Sequence, residues 1–249
     1  MTHASGRFAR MLVRSAVFGL FLALICSNPL FAQMGGGGMA QGLLKEKLAS
    51  IKASVAENQQ NLHRYTWTET SVITVNGREM PPNESLCSYG PDGKVQKVPV
   101  GGAPDSASGN HGGRLMQRVV ERKKADMTDY MQQVGRVIAL YVPPDPQKMQ
   151  QAFEAKKVSF EHDNGQAGLV FKDYEQSGDS MTIDFDTASL KIRTLKVRTW
   201  LDSPHDAVTL TVDFATLPDG TNHPSRTTLD AQAKGIHVVS TDSNYRKAG

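Results

Sequence analysis

The side chains whose type and placement raise metal binding, nucleophilic attack or proton transfer are few and scattered. Beyond residue 32 they are His63, His111, His162, His205, His223 and His237, the thiol of Cys87, and the aspartates Asp179, Asp184 and Asp186. A zinc site draws on His or Cys pairs at short, fixed spacing. None of the histidines forms such a pair, and Cys87 has no second cysteine after residue 32. The three aspartates raise calcium, but their spacing does not match the helical-loop pattern. Asp184 and Asp186 also share one side of a strand, the solvated side by its alternation. His205-Asp206 adjoins Pro204 at a turn and reads as a hydrogen-bonded surface pair rather than part of a catalytic triad. There is no Gly-x-Ser-x-Gly elbow, and Gly35 to Gly38 lacks the Lys-Ser/Thr ending of a phosphate loop. The expectation is a protein with no catalytic residues, no metal and no cofactor.

What must position any binding groups begins after a leader. Arg7, Arg10 and Arg14 precede an apolar run, Ser15 to Cys26, that is too short to span a bilayer, and Ala32 offers a small residue at the cleavage point. Residues 1–32 therefore read as a signal peptide and the mature chain as periplasmic. Lipidation at Cys26 is an alternative, although Ile25 is a poor residue before a lipidated cysteine. No later run approaches a membrane span. Of 28 Lys+Arg and 25 Asp+Glu, the leader holds three arginines and no acid, so the mature chain is near neutral. That argues against nucleic acid as a partner. Arg118, Arg122, Lys123 and Lys124 form a local basic group that reads as a solvated helix face. With 39% apolar and 21% charged residues the chain is globular in composition. Cys87, alone in an oxidising compartment, reads as a buried, inert thiol on a strand.

Residues 33–41 are a Gly-rich tether, and 42–249 one domain. Leu44, Leu48, Ile51, Val55, Asn58 and Leu62 share one helical face. The period then changes to two. Tyr65 to Val75 reads as a strand, Asn76-Gly77 as a hairpin turn, and Pro91-Asp92-Gly93 as a second turn. Gly101 to Gly113 reads as a loop. A central helical insertion, 114–155, runs to Tyr141 with a break expected near Thr128 or Gly135. Pro143-Pro144 ends that run, and Asp145 caps a short helix from Pro146. From Val158 onward strand follows strand, with connections too short for parallel crossovers. Leu190 to Leu201 changes parity, which predicts a β-bulge near Thr194. The pieces predict an α+β fold: a single curved antiparallel sheet of eight or nine strands, an unclosed half-barrel, with helices packed in its concave face.

The order of these elements behind a signal peptide resembles the bacterial outer-membrane lipoprotein carrier superfamily. The segment Met181 to Ile192, with Asp186-Thr187 at its turn, is similar to a strand–turn–strand unit of that superfamily. Phe214, Leu217-Pro218-Asp219-Gly220, Pro224-Ser225-Arg226, and Gly235-Ile236 with Tyr245 resemble its last two hairpins. The superfamily also includes periplasmic regulators. The resemblance implies an open barrel whose helices cover an apolar space for acyl chains. It places no functional residue.

The candidate ligand-binding residues come from the patterns themselves. Met116, Val120, Met127, Tyr130 and Met131 fall on or beside one face of the central helix, and Trp67 and Met181 are large apolar residues on strands. Flexible methionines suit a surface that repacks around variable chains. The functional expectation is a non-catalytic envelope protein that carries or senses a lipid or the acyl chains of a lipoprotein. Two alternatives remain: a structural or interaction module with a sealed core and an envelope protein partner, and, third, an envelope hydrolase.

Overall fold

The structure is a computed structural model that describes residues 57–101, 114–163 and 166–248. The leader, the tether, the first helix before residue 57, most of the Gly101–Gly113 loop and the Asn164-Gly165 turn lie outside the described residues, as do the side chains of Met116 and Val120.

The described chain begins in helical residues 57–62 and continues as eleven strands in one antiparallel sheet. They are β1 (Tyr65–Val75), β2 (Arg78–Glu79), β3 (Asn83–Tyr89), β4 (Val95–Pro99), β5 (Val158–Asp163), β6 (Gln166–Lys172), β7 (Ser180–Asp186), β8 (Ile192–Trp200), β9 (Ala207–Thr216), β10 (Asn222–Ala231) and β11 (Ile236–Lys247). Two helices, α1 (Arg114–Ile138) and α2 (Pro146–Glu154), connect β4 to β5. The sheet order is β4-β3-β1-β11-β10-β9-β8-β7-β6-β5, with β2 also paired to β1. The sheet does not close: β4 and β5 are its two edges. The architecture is the expected α+β half-barrel. It has more strands than expected, partly because a two-residue strand such as β2 leaves no periodic signal.

One residue parity faces inward along the whole sheet. Ile73, Val238, Leu229, Leu210, Val197, Met181, Phe171 and Val158 stand opposite one another in a single apolar row across eight strands. The opposite parity carries Thr66, Thr68, Thr70, Thr182, Asp184, Lys196, Thr209 and Thr211, the mark of a sheet with one wet side. Local turn chemistry sets this register. Asn76 (φ 49°) and Gly77 (φ 77°) make the positive-φ pair of the first hairpin. Between Asp184/Phe185 of β7 and Thr194/Ile192 of β8, Arg193 is an extra residue, which is the expected bulge. Further shifts occur at Thr66/Thr68 and at Pro224/Arg226. Such bulges bend a sheet and keep it from lying flat. The sheet also has an apolar spot on its wet side: Leu86 of β3 and Val98 of β4, directly opposite each other, are 47% and 63% exposed.

Helix α1 runs unbroken past both Thr128 and Gly135. A mid-helix glycine costs roughly 1 kcal/mol relative to alanine, and here the burial of Tyr130, Met131, Val134 and Ile138 on the sheet offsets it. Glu121, Arg122, Lys123, Ala125 and Asp126 are all exposed. Among the described side chains of the helix, those from Met127 onward meet the core. Asp145 accepts from the backbone of Gln147 and Lys148 and caps α2, as expected.

The end of α1 is held by polar contacts as well as by packing. The Tyr130 hydroxyl donates to Asp206 at 2.7 Å. The Tyr141 hydroxyl donates to the buried Asp179 and lies 2.8 Å from Thr199 Oγ1. Asp179 also accepts the backbone N–H groups of Tyr174 (2.6 Å), Glu175 (3.0 Å) and Gln176 (2.8 Å), so one carboxylate organises the whole β6–β7 turn. Replacing Tyr141 by Phe leaves a buried carboxylate oxygen without its hydroxyl donor. The expected cost is about 1–3 kcal/mol of stability, read as a lowered denaturant midpoint with no change in the slope of the transition.

Candidate functional site

The inner face is not uniform. A second cross-strand row runs Asn83, Ser71, Ser240, Thr227, Val212, Leu195, Ile183, Leu169 and Phe160. It passes from polar to apolar along one continuous surface. The apolar end lies under α1 and α2. There Met181, Tyr130 and Met131 are buried in one core, and Met127 packs at its margin. Met116 and Val120 belong to the same helix, with side chains outside the described residues.

Trp67 is placed elsewhere. It is buried on β1, in an aromatic group separate from the core beneath α1. Its ring stacks on Tyr245 at 5.6 Å and leans on Tyr89 at 5.4 Å. Tyr89 stacks on His63 at 4.4 Å, and His223 lies 4.1 Å from Tyr245. Helical residues 57–62 are pinned beside this group, because Asn58 donates to the carbonyl of Asn222 and accepts from its N–H. The β9–β10 turn is pinned below it: Asp219 accepts from the Tyr65 hydroxyl (2.5 Å) and pairs with Lys247 (3.0 Å). The Tyr65 hydrogen bond is the main cause that holds the Asp219 carboxyl well below the usual range.

The polar end of the inner face carries charges that alternation alone did not single out. Glu69 of β1 accepts both contacts of Lys97 Nζ, at 2.6 and 2.7 Å, and one from Ser71 Oγ at 3.3 Å. Ser71 also bonds Ser240 at 2.7 Å. Directly across from Glu69 stands Asp242 of β11. Burial, with the Glu69 charge adding to it, pushes the Asp242 carboxyl up to about 7, while Lys97 and the Trp67 indole act in the opposite direction. The indole N–H approaches this carboxyl without completing a hydrogen bond. Burial, chiefly, pushes the neighbouring Cys87 thiol up to about 12, which accords with the inert thiol read from sequence. A signal for Glu69 was present: it shares parity with Tyr65, Trp67, Ser71 and Ile73 on a strand with one buried face. Its partners come from the other end of the chain and needed the register.

The remaining reactive groups are engaged or dispersed. Asp206 is held by Tyr130, and Asp184 bonds Thr194 and Lys196 on the wet side. Among the described residues no group of three or more His, Cys, Asp or Glu could hold a metal, and no helix is long and apolar enough to cross a membrane.

Neither a protein-family model nor a curated protein matches the sequence. Solved structures with similar folds include a LolA superfamily protein from Nitrosomonas europaea, at 10% identity and TM-score 0.40, covering 81% of this chain and 93% of that one. A DUF1329 family protein from Desulfovibrio piger matches at 10% identity and TM-score 0.37, covering 80% and 92%.

The environment of Asp242 has a consequence for stability. Its carboxyl titrates near 3.8 when ordinary and near 7 when folded. Between those values the folded state holds a proton that the unfolded state has released. The contribution therefore favours folding at low pH and is lost as pH rises through 7. The stability of the protein relative to Asp242→Asn is expected to fall between about pH 5 and about pH 8. Chemical denaturation at both pH values, on both proteins, measures it; a difference that stays constant contradicts the assignment.

Proposed function

We propose that this is a non-catalytic periplasmic binding protein that carries or senses an apolar ligand, a lipid or the acyl chains of a lipoprotein, between the inner face of the sheet and its helices. The observation that carries this reading is the apolar row across eight strands, from Ile73 to Val158, with α1 laid on it from Met127 onward. A sheet that does not close relies on helices to cover its apolar side, and helices can exchange places with acyl chains of similar polarity. Met127, Met131 and Met181 are the adaptable residues at that contact. The leader supports export, and the resemblance of the turn motifs to lipoprotein carriers points the same way.

A second reading, an interaction module of the envelope, draws on a different observation. Leu86 and Val98 form an exposed apolar pair on the wet side beside the β4 edge, where a protein partner would find purchase.

Native mass spectrometry after mild purification is expected to show lipid bound to the protein. Titration with a series of fluorescent fatty-acyl probes should give affinity rising about fourfold for each added CH₂ until the space is filled. A protein that carries no lipid and takes up no probe is not a lipid carrier, and the interaction reading then stands in its place.

A further inference from the structure

The two edges of the sheet are not alike. The β4 edge ends at Pro99 and sends Lys97 to an ion pair with Glu69. The β5 edge has neither device. Its strand, Val158–Asp163, contains no Pro and no Gly and pairs with β6 without a bulge. The direction of each backbone group follows from the register. The Lys172 N–H donates to the Lys157 carbonyl at 2.9 Å, which makes these two residues a hydrogen-bonded pair. Such pairs alternate along an antiparallel ladder. Ser159, Glu161 and Asp163 therefore face β6, and Val158, Phe160 and His162 direct their N–H and C=O groups away from it. No other strand of the sheet lies on that side. Phe160 also belongs to the inner row, in which Leu169 and Ile183 are buried, yet it is 46% exposed. Its ring leans on Phe185 at 6.4 Å and otherwise borders the open edge.

We propose that β5 is a dimerisation edge: it pairs antiparallel with β5 of a second copy of this chain, about a two-fold axis at Phe160. The strand is its own complement in that register. With Phe160 opposite the partner's Phe160, Val158 meets the partner's His162, and outward backbone groups oppose outward ones along the whole strand. Lys157 then stands opposite the partner's Asp163, an unlike-charge pair on each side of the axis. The Lys157 side chain is 46% exposed at 3.6 Å from Asp173, so it is open to a second carboxylate. Neighbouring registers are poorer. Centred on Glu161, the pairing sets that carboxylate against its own copy. Centred on Ser159, it sets His162 against Lys156, which has a φ of 58° and lies outside the strand, so the ladder is shorter. In the favoured register the two sheets become one, their inner faces on the same side, and the Phe160 rings cover each other. The pairing is independent of the apolar-ligand reading.

The full-length protein, as recovered from cells, is examined by sedimentation velocity over a concentration series. One chain should give way to two with a dissociation constant in the micromolar range, as suits a short interface. Phe160→Lys sets like charges on the axis and should weaken association about tenfold or more. Lys157→Glu should also weaken it, and Lys157→Glu with Asp163→Lys should restore it, a reversal that a folding defect does not imitate. Hydrogen exchange needs no variant. The amides of Val158, Phe160 and His162 should exchange fast in dilute protein and become protected as concentration rises, whereas those of Ser159, Glu161 and Asp163 stay protected throughout. A protein that remains a single chain at millimolar concentration overturns the β5 dimer. So does protection of the Val158, Phe160 and His162 amides at every dilution, because the edge is then covered within one chain. A dimer whose affinity ignores both Phe160→Lys and the charge exchange forms through another surface and overturns it as well.

Discussion

An open sheet of eleven strands has one apolar side and, among the described residues, no second sheet to put against it, and this constraint shapes the rest of the molecule. Every inward residue must be covered by chain that comes from elsewhere. Among the described residues, those with that task are the later half of α1, part of α2 and the helical stretch at 57–62. Apolar burial alone would let a helix slide across a smooth floor, because the hydrophobic effect has no direction. The hydroxyls of Tyr130 and Tyr141 supply the direction, by reaching Asp206 and Asp179. Position is thus set by a few hydrogen bonds and adhesion by area.

The same constraint explains why the floor divides into two chemistries. Where α1 lies, the strands offer Val, Leu, Ile and Met. Toward β1, β3 and β11 the identical parity offers Glu69, Ser71, Ser240 and Asp242 with an aromatic surround. A carboxyl on that buried side is expensive to ionise. That Asp242 is there at all, within a ring of Tyr and Trp, distinguishes this end from a core meant only for packing.

Most of the fold was legible from the residues, because turn chemistry and period-two alternation are local. Asn76-Gly77, Pro91-Asp92-Gly93 and Asp219-Gly220 mark their turns, and the parity change before Leu195 placed the bulge near Thr194, next to the extra residue Arg193. The expected break in α1 was misjudged, since propensity at Gly135 counts for less than four side chains buried on a sheet. The candidate site was legible in part. Met127, Tyr130, Met131 and Met181 do meet, as one helical face and one strand parity imply. Trp67 is remote from them, because β1 lies beside β11 and not beside β7, a pairing that closes a separation of well over a hundred residues. Glu69 with Asp242 is non-local for the same reason, and no spacing in the sequence joins them.

Leaving a sheet open also leaves two rims of backbone able to recruit foreign strands. At one rim, β4 is only five residues long, Lys97 is turned inward to an ion pair, and the strand stops at Pro99, which has no N–H to offer. A stray chain aligning there finds a short ladder with a missing rung. The rim's greasy pair, Leu86 and Val98, therefore borders an edge that offers a foreign strand few backbone groups to pair with.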